Sequence, residues 1–203
     1  MMIPTSASAV LDVWFDGCSA SELGTGSSRW YRKDDAFDAM LSTRFGEDLD
    51  RAGRGELGGW CGAPRGSLAL VVLCDQISRN VHRGTARSFA FDPLAVATSL
   101  GARARGEDAS LTIPERVFLA MPLMHSESLV IHDEATAVFE GILAHAEHAV
   151  PTLVPYAKST IGYEEKHRGI LERFGRYPHR NGILGRASTA EEREFLETPG
   201  SSF

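Results

Sequence analysis

The chain reads as all-α: about eight helices joined by short connections. Three observations predict this. Apolar residues recur at helical spacing through most of the sequence, as at Phe37, Met40, Leu41 and Phe45. Several breaks carry helix-start chemistry, such as Asp92-Pro93 and Pro114-Glu115. There is no convincing hairpin signal and no alternation of strands with helices. At 203 residues, 43% of them apolar, the chain has the size and core material of one domain, expected to span 1–203.

The elements follow in order. Ser6 or Ser8 caps a first helix running to about Trp14, with Val10, Leu11, Val13, Trp14 and Phe15 apolar. Asp16 to Ser28 is rich in Gly and Ser and reads as a loop. Asp34 or Asp35 caps the second helix; Gly46, Gly53 and Gly55 blur its far end. Leu57 to Gly66 reads as a loop carrying Trp60. Ser67 is expected to cap a helix that starts with an unbroken apolar run, Leu68 to Cys74. Such a run has no solvated face, so other helices must cover it.

Asp92 is expected as N-cap of the next helix, which reaches about Arg105 with Leu94, Ala97, Leu100 and Ala104 inward and stops at Gly106. Pro114-Glu115 starts another, with Val117, Phe118 and Met121 on one face; Pro122 ends or kinks it. A long helix follows to about Ala149, using Leu129, Ile131, Phe139, Ile142 and Leu143. After Pro151 and Pro155, a helix to about Phe174 places Tyr163, His167, Ile170, Leu171 and Phe174 on one side, with Gly175 just past its end. Ser188 with Glu191, or Thr189 with Glu192, forms a capping box for a last short helix.

Net charge of −6 argues against a general nucleic-acid binder, which would be basic. No stretch is long enough to span a bilayer, and no basic region followed by an apolar run marks a signal peptide. Cys18, Cys61 and Cys74 show no metal spacing. Cytoplasm is the expected compartment, and no cofactor is implied.

Chemistry concentrates in two places. After the apolar run come Asp75, Gln76, Arg79, Asn80, His82 and Arg83. Residues 166–186 echo them with His167, Arg176, His179, Arg180 and Asn181, so that Arg79-Asn80 and Arg180-Asn181 form a repeated dipeptide. Polar groups at the end of a buried helix need partners, and the echo residues are the expected ones. Two outcomes are open: a hydrogen-bonded structural knot, or a pocket for a carboxylate or phosphate, whose geometry suits the planar fork of Arg. The histidines that could carry chemistry are His82, His125, His132, His167 and His179, beside Asp75, Glu127 and Glu164. Glu164-x-x-His167 puts both on one helix face, but di-iron bundles use that motif twice and here it occurs once, so no metal is expected. Glu127 reads as a carboxylate favourable near a helix start.

Taken together, several segments resemble the bacterial domain-of-unknown-function family 924. They are VLDVWF, RWYRKDDAFDAMLSTRFG, LALVVLCDQISRNVHRGTARSFAFDPLA, ERVFLAMPLMHSES, and KHRGILERFGRYPHRNGILGRASTAEEREFL with PGSSF at the end. The chain departs from that family's usual Phe-Pro at Ile77-Ser78. The resemblance implies a tetratricopeptide-repeat-like α-α superhelix, its helices stacked as antiparallel pairs, and no established activity.

Two function classes therefore compete. One is a module binding a small anionic ligand or a peptide; the other is an enzyme on an acidic or phosphorylated metabolite, with a histidine as acid/base and Arg as anchor. A third is a scaffold, for which Trp14, Trp30 and Trp60 would be exposed partner contacts rather than core.

Overall fold

The fold is organised around one helix, residues 64–81, whose apolar half touches no solvent: every residue from Leu68 to Cys74 is at most 2% exposed. A computed structural model describes residues 4–15, Trp30 and 33–201. The expected loop at 16–28, Cys18 and part of the tail lie outside the described residues.

Among the described residues there are eight α-helices and no strand. Helix α1 is Thr5–Phe15 and α2 is Asp35–Gly53. Asp34 caps α2, its carboxylate accepting from the Ala36 and Phe37 amides at 3.0 Å; α2 continues through Gly46. Asp34→Ala is expected to cost about 1 kcal/mol, the usual loss of an N-cap, read from a urea denaturation curve.

The central helix, α3, begins at Pro64 with Ala63 as cap, not at Ser67. Proline suits a first helical position because its missing N–H would have had no partner there. Ser67 is consequently a buried residue of the first turns. Helix α3 then widens into a π-turn over Val72–Ile77 before closing at Ser78–Val81. Here the Ser78 N–H reaches back to the Leu73 carbonyl, five residues away. The Cys74 carbonyl, which would have taken that N–H in an α-helix, is met by the Ser78 hydroxyl. The Ile77-Ser78 departure thus supplies the group that satisfies the widened turn.

Helix α4 is Asp92–Ala104. Phe91 is its N-cap, and Asp92 sits one place inside, its carboxylate turned toward arginines rather than the helix amides. Its buried face is Ala95, Thr98, Ser99 and Ala102, not the expected Leu94, Ala97, Leu100 and Ala104. Small side chains let α4 approach the fully apolar α3, while Leu94 and Leu100 are half-buried at the flanks. Helix α5 is Ile113–Met124, with Pro122 in its last turn. Glu115 closes its start by accepting from the Thr112 amide at 2.9 Å.

Helices α6, Leu129–Ala149, and α7, Val154–Phe174, form the longest pair. Gly175, at φ +68°, ends α7 in the left-handed conformation glycine tolerates. On these helices Leu129 and Tyr163 prove exposed, while Phe139, Ile142, Ile170 and Leu171 are core. Helix α8, Ala190–Leu196, is capped by Thr189 with Glu192, one of the two boxes expected.

Helix α3 packs against α1, α4 and α5, and α2 lies on its π-turn and last turn. Successive helices α4 to α7 then stack each on the next, a pattern compatible with the expected superhelix of helix pairs. Trp14, Trp30 and Trp60 are all core, at most 9% exposed; Trp30 meets Phe118 edge-on with ring centres 4.7 Å apart. They are not partner contacts.

Candidate functional site

The π-turn aims Asp75 into the interior. Its carboxylate is wholly buried and accepts from Arg79 Nη1 at 3.0 Å, from Gln76 Nε2 and from His125 Nδ1 at 2.7 Å. Burial alone would raise its pKa, but the Arg79 charge and the hydrogen bonds from His125 and Gln76 outweigh it and hold Asp75 ionised well below the usual range. An ionised acceptor makes Nδ1 the protonated nitrogen of His125. No described residue bonds to its Nε2.

Arg79 also reaches Asp92 at 3.1 Å, and Arg180 reaches the same carboxylate at 3.3 Å. The two Arg-Asn segments therefore do meet, through a residue read only as a helix cap. Arg180 donates to the His125 carbonyl at 2.9 Å and lies over both Phe89 and Tyr177, 4.6 Å from each ring centre. Burial pushes the Asp92 carboxyl up despite Arg79 and Arg180; burial and the neighbouring Arg79 charge pull the Arg180 guanidinium down.

Histidines complete the cluster. The His125 and His167 rings are 5.8 Å apart, His167 meets Tyr177 edge-on at 5.7 Å, and Tyr177 stacks on His179 at 5.6 Å. His167 Nδ1 donates to the Tyr163 carbonyl at 2.8 Å. Burial, the largest cause, pulls His167 down to about 3; burial, then Arg180, pulls His179 down to about 4. Both are neutral imidazoles at physiological pH.

Other expected members go elsewhere. Asn80 and Arg83 bind Asp38 of α2, both at 2.7 Å, away from the second segment. His82 stacks on Phe91. Asn181 donates to Ser188 at 3.1 Å, and Arg176 to Glu192 at 2.6 Å. Glu127 does not serve the helix dipole: it accepts the fork of Arg186 at 2.6 and 2.9 Å and the Tyr177 amide at 2.7 Å. It thereby clamps residues 177–186 over the cluster. Asp92, Phe89, Tyr177 and Arg186 were not expected as members. For Asp92 the signal was the unmatched positive charge of the two segments, which a buried cluster must balance; Phe89, Tyr177 and Arg186 left none.

The arrangement is a closed polar knot. Asp75, Arg180 and Tyr177 form its buried centre, while Glu127 at 26% exposure, Arg186 at 25%, Arg79 at 22%, Asp92 at 16% and His125 at 15% reach solvent at its edge. Among the described residues, no group of three His, Cys, Asp or Glu is placed to hold a metal ion. Glu164 bonds His132 at 2.7 Å instead of acting with His167. No described helix is long and apolar enough to cross a membrane.

The family model of bacterial proteins of unknown function, DUF924, matches residues 10–200. Among solved structures, the chain is similar to a protein of unknown function from Agrobacterium tumefaciens, with 37% identity over 94% of this chain and 96% of that one, and a TM-score of 0.75. No curated protein matches the chain.

Proposed function

The chain belongs to the DUF924 family of bacterial proteins of unknown function, and on that premise we propose that it binds a small molecule through an anionic group at Arg79 and Arg180. The carrying observation is that both guanidinium groups converge on one carboxylate, Asp92, beside the partly open edge of the cluster. Two guanidinium groups gathered on one carboxylate, Arg79 through both of its terminal nitrogens and Arg180 through one, suit anion recognition. In this reading Asp92 is the resident counter-ion. Burial makes it a weaker acid than usual, so a phosphate or a stronger carboxylic acid displaces it.

Asp92→Asn tests this by removing the counter-ion and leaving the guanidinium pair in place. The variant is expected to melt well below the native protein, because a buried pair loses one partner. Millimolar phosphate should then restore much of the loss, saturably, and should do so less well when Arg180 is also replaced by Lys, a point charge without the fork. Equal stabilisation of native and Asp92→Asn protein by phosphate would sink the reading, since that is a general salt effect.

A second reading rests on His125. A buried Asp fixes its tautomer and leaves Nε2 without a described partner, the arrangement of an oriented general base. Incubation of the protein with a mixture of acidic metabolites, followed by mass spectrometry, tests it. A compound consumed by native protein and not by His125→Asn supports proton transfer; none consumed counts against it.

A further inference from the structure

A second polar centre lies between α6 and α7, apart from the arginine cluster. His132 is fully buried and Glu164 is 2% exposed. Tyr177 OH donates to the Met124 carbonyl at 2.7 Å, so it receives His132 Nε2–H at 3.0 Å, as does the Ser126 carbonyl. His132 Nδ1 and Glu164 Oε1, 2.7 Å apart, therefore share one proton. The other oxygen of that carboxylate, Oε2, is buried and has no hydrogen-bond partner among the described residues. A buried acceptor left unmet costs free energy that an N–H donor would recover.

Glu164 lines a cleft of about 370 Å³ between the two helices, within the size range of small-ligand sites. Asp133, Glu140 and Glu165 also line it, with Ile161 supplying a half-buried apolar wall over the buried Phe139. Arg168 is the one basic residue of the lining, and its guanidinium is already held by Asp133 and by Glu172, each at 2.8 Å. Glu140 and Glu165 are left as surplus negative charge near an unmet carboxylate oxygen.

We infer that this cleft binds a small organic ammonium ion with an apolar body, its N–H groups toward Glu164 Oε2 and its body against Ile161. A divalent metal is not the fit, because no three carboxylates or histidines among the described residues converge. An ammonium supplies the missing donor and matches the charge. It sits beside the shared proton of His132 and Glu164, which links this cleft through Tyr177 to the arginine cluster.

Benzylamine is the probe and benzyl alcohol, its uncharged counterpart, the control. In heteronuclear NMR at pH 7.5, benzylamine should shift the amides of Thr136, Phe139 and Ile161 saturably, and benzyl alcohol should not. The exposed Glu140→Gln and Glu165→Gln variants should each weaken binding about threefold, as removal of a screened charge does. Glu164→Gln should weaken it about tenfold, the loss of a hydrogen bond to a charged group. If Glu164→Gln does not fold, the double variant Glu140→Gln/Glu165→Gln, whose side chains are at the surface, decides. Equal shifts from the alcohol, shifts centred elsewhere, or unchanged affinity in the double variant would overturn the inference.

Discussion

Asp75→Asn is expected to destabilise the protein by about 3–5 kcal/mol, the cost of stripping one partner from a buried ion pair. The side chain is nearly the same size, so the loss is electrostatic. Asp75 has no solvent contact and is the acceptor on which Arg79 and His125 converge. An amide in its place returns no charge to Arg79 and cannot fix the His125 tautomer. For a chain of this length, the loss corresponds to a fall in melting temperature of roughly 6–20 °C, measured by calorimetry or circular dichroism. A melting temperature within about 2 °C of native, where a fraction of a kcal/mol lies for this size, would show that the pair is incidental to the fold.

Mild acid is expected to weaken the protein well before its carboxylates are protonated. His167 and His179 are held neutral in the fold, at about 3 and about 4, while in the unfolded chain each titrates near 6.5. Below that value the unfolded state binds protons the native state refuses, so stability is full above it and is lost as pH falls toward the folded values. For two such groups the loss between pH 7 and 5 is about 3–4 kcal/mol. His167→Gln should remove about half of that slope. Asp92, pushed upward by burial, acts in the opposite sense at lower pH, so the measurement reads best above pH 5. Urea unfolding at several pH values checks this; a flat profile from pH 7 to 5 would mean that the two histidines protonate freely inside the fold.

The helical class was legible because it rests on local chemistry. Asp34, Pro114, Gly106 and Gly175 act within a turn of where they stand, and amphipathic spacing survives whatever the tertiary context. That the two basic segments would seek partners was legible too, since buried charge must be balanced. What balances it was not. Asp92 beside Pro93 reads as a helix cap at every local level, and only the return of the chain from residue 180 reveals its second use. The inward face of α4 was missed because leucines outrank small residues in any apolar count, whereas packing against a solvent-free helix rewards closeness over size. Asn80 and Asn181 resemble each other only in sequence; one follows a helix toward α2, the other a loop toward Ser188.

The widened turn of α3 also has a consequence for how the chain tolerates length changes. One extra residue per turn advances the helix by about 100° relative to an unbroken 3.6-residue spiral, so everything after Ile77 is rotated out of step with everything before it. Arg79 faces Asp92 and Asn80 faces Asp38 only because of that rotation. Removing a single residue within 72–77 would restore a regular helix with much the same apolar composition. It would also swing both contacts off their targets at once, while leaving the helix itself intact. In this chain a one-residue gap there would be more damaging than most point substitutions, and a family member lacking the bulge would have to rebuild its polar cluster from other positions.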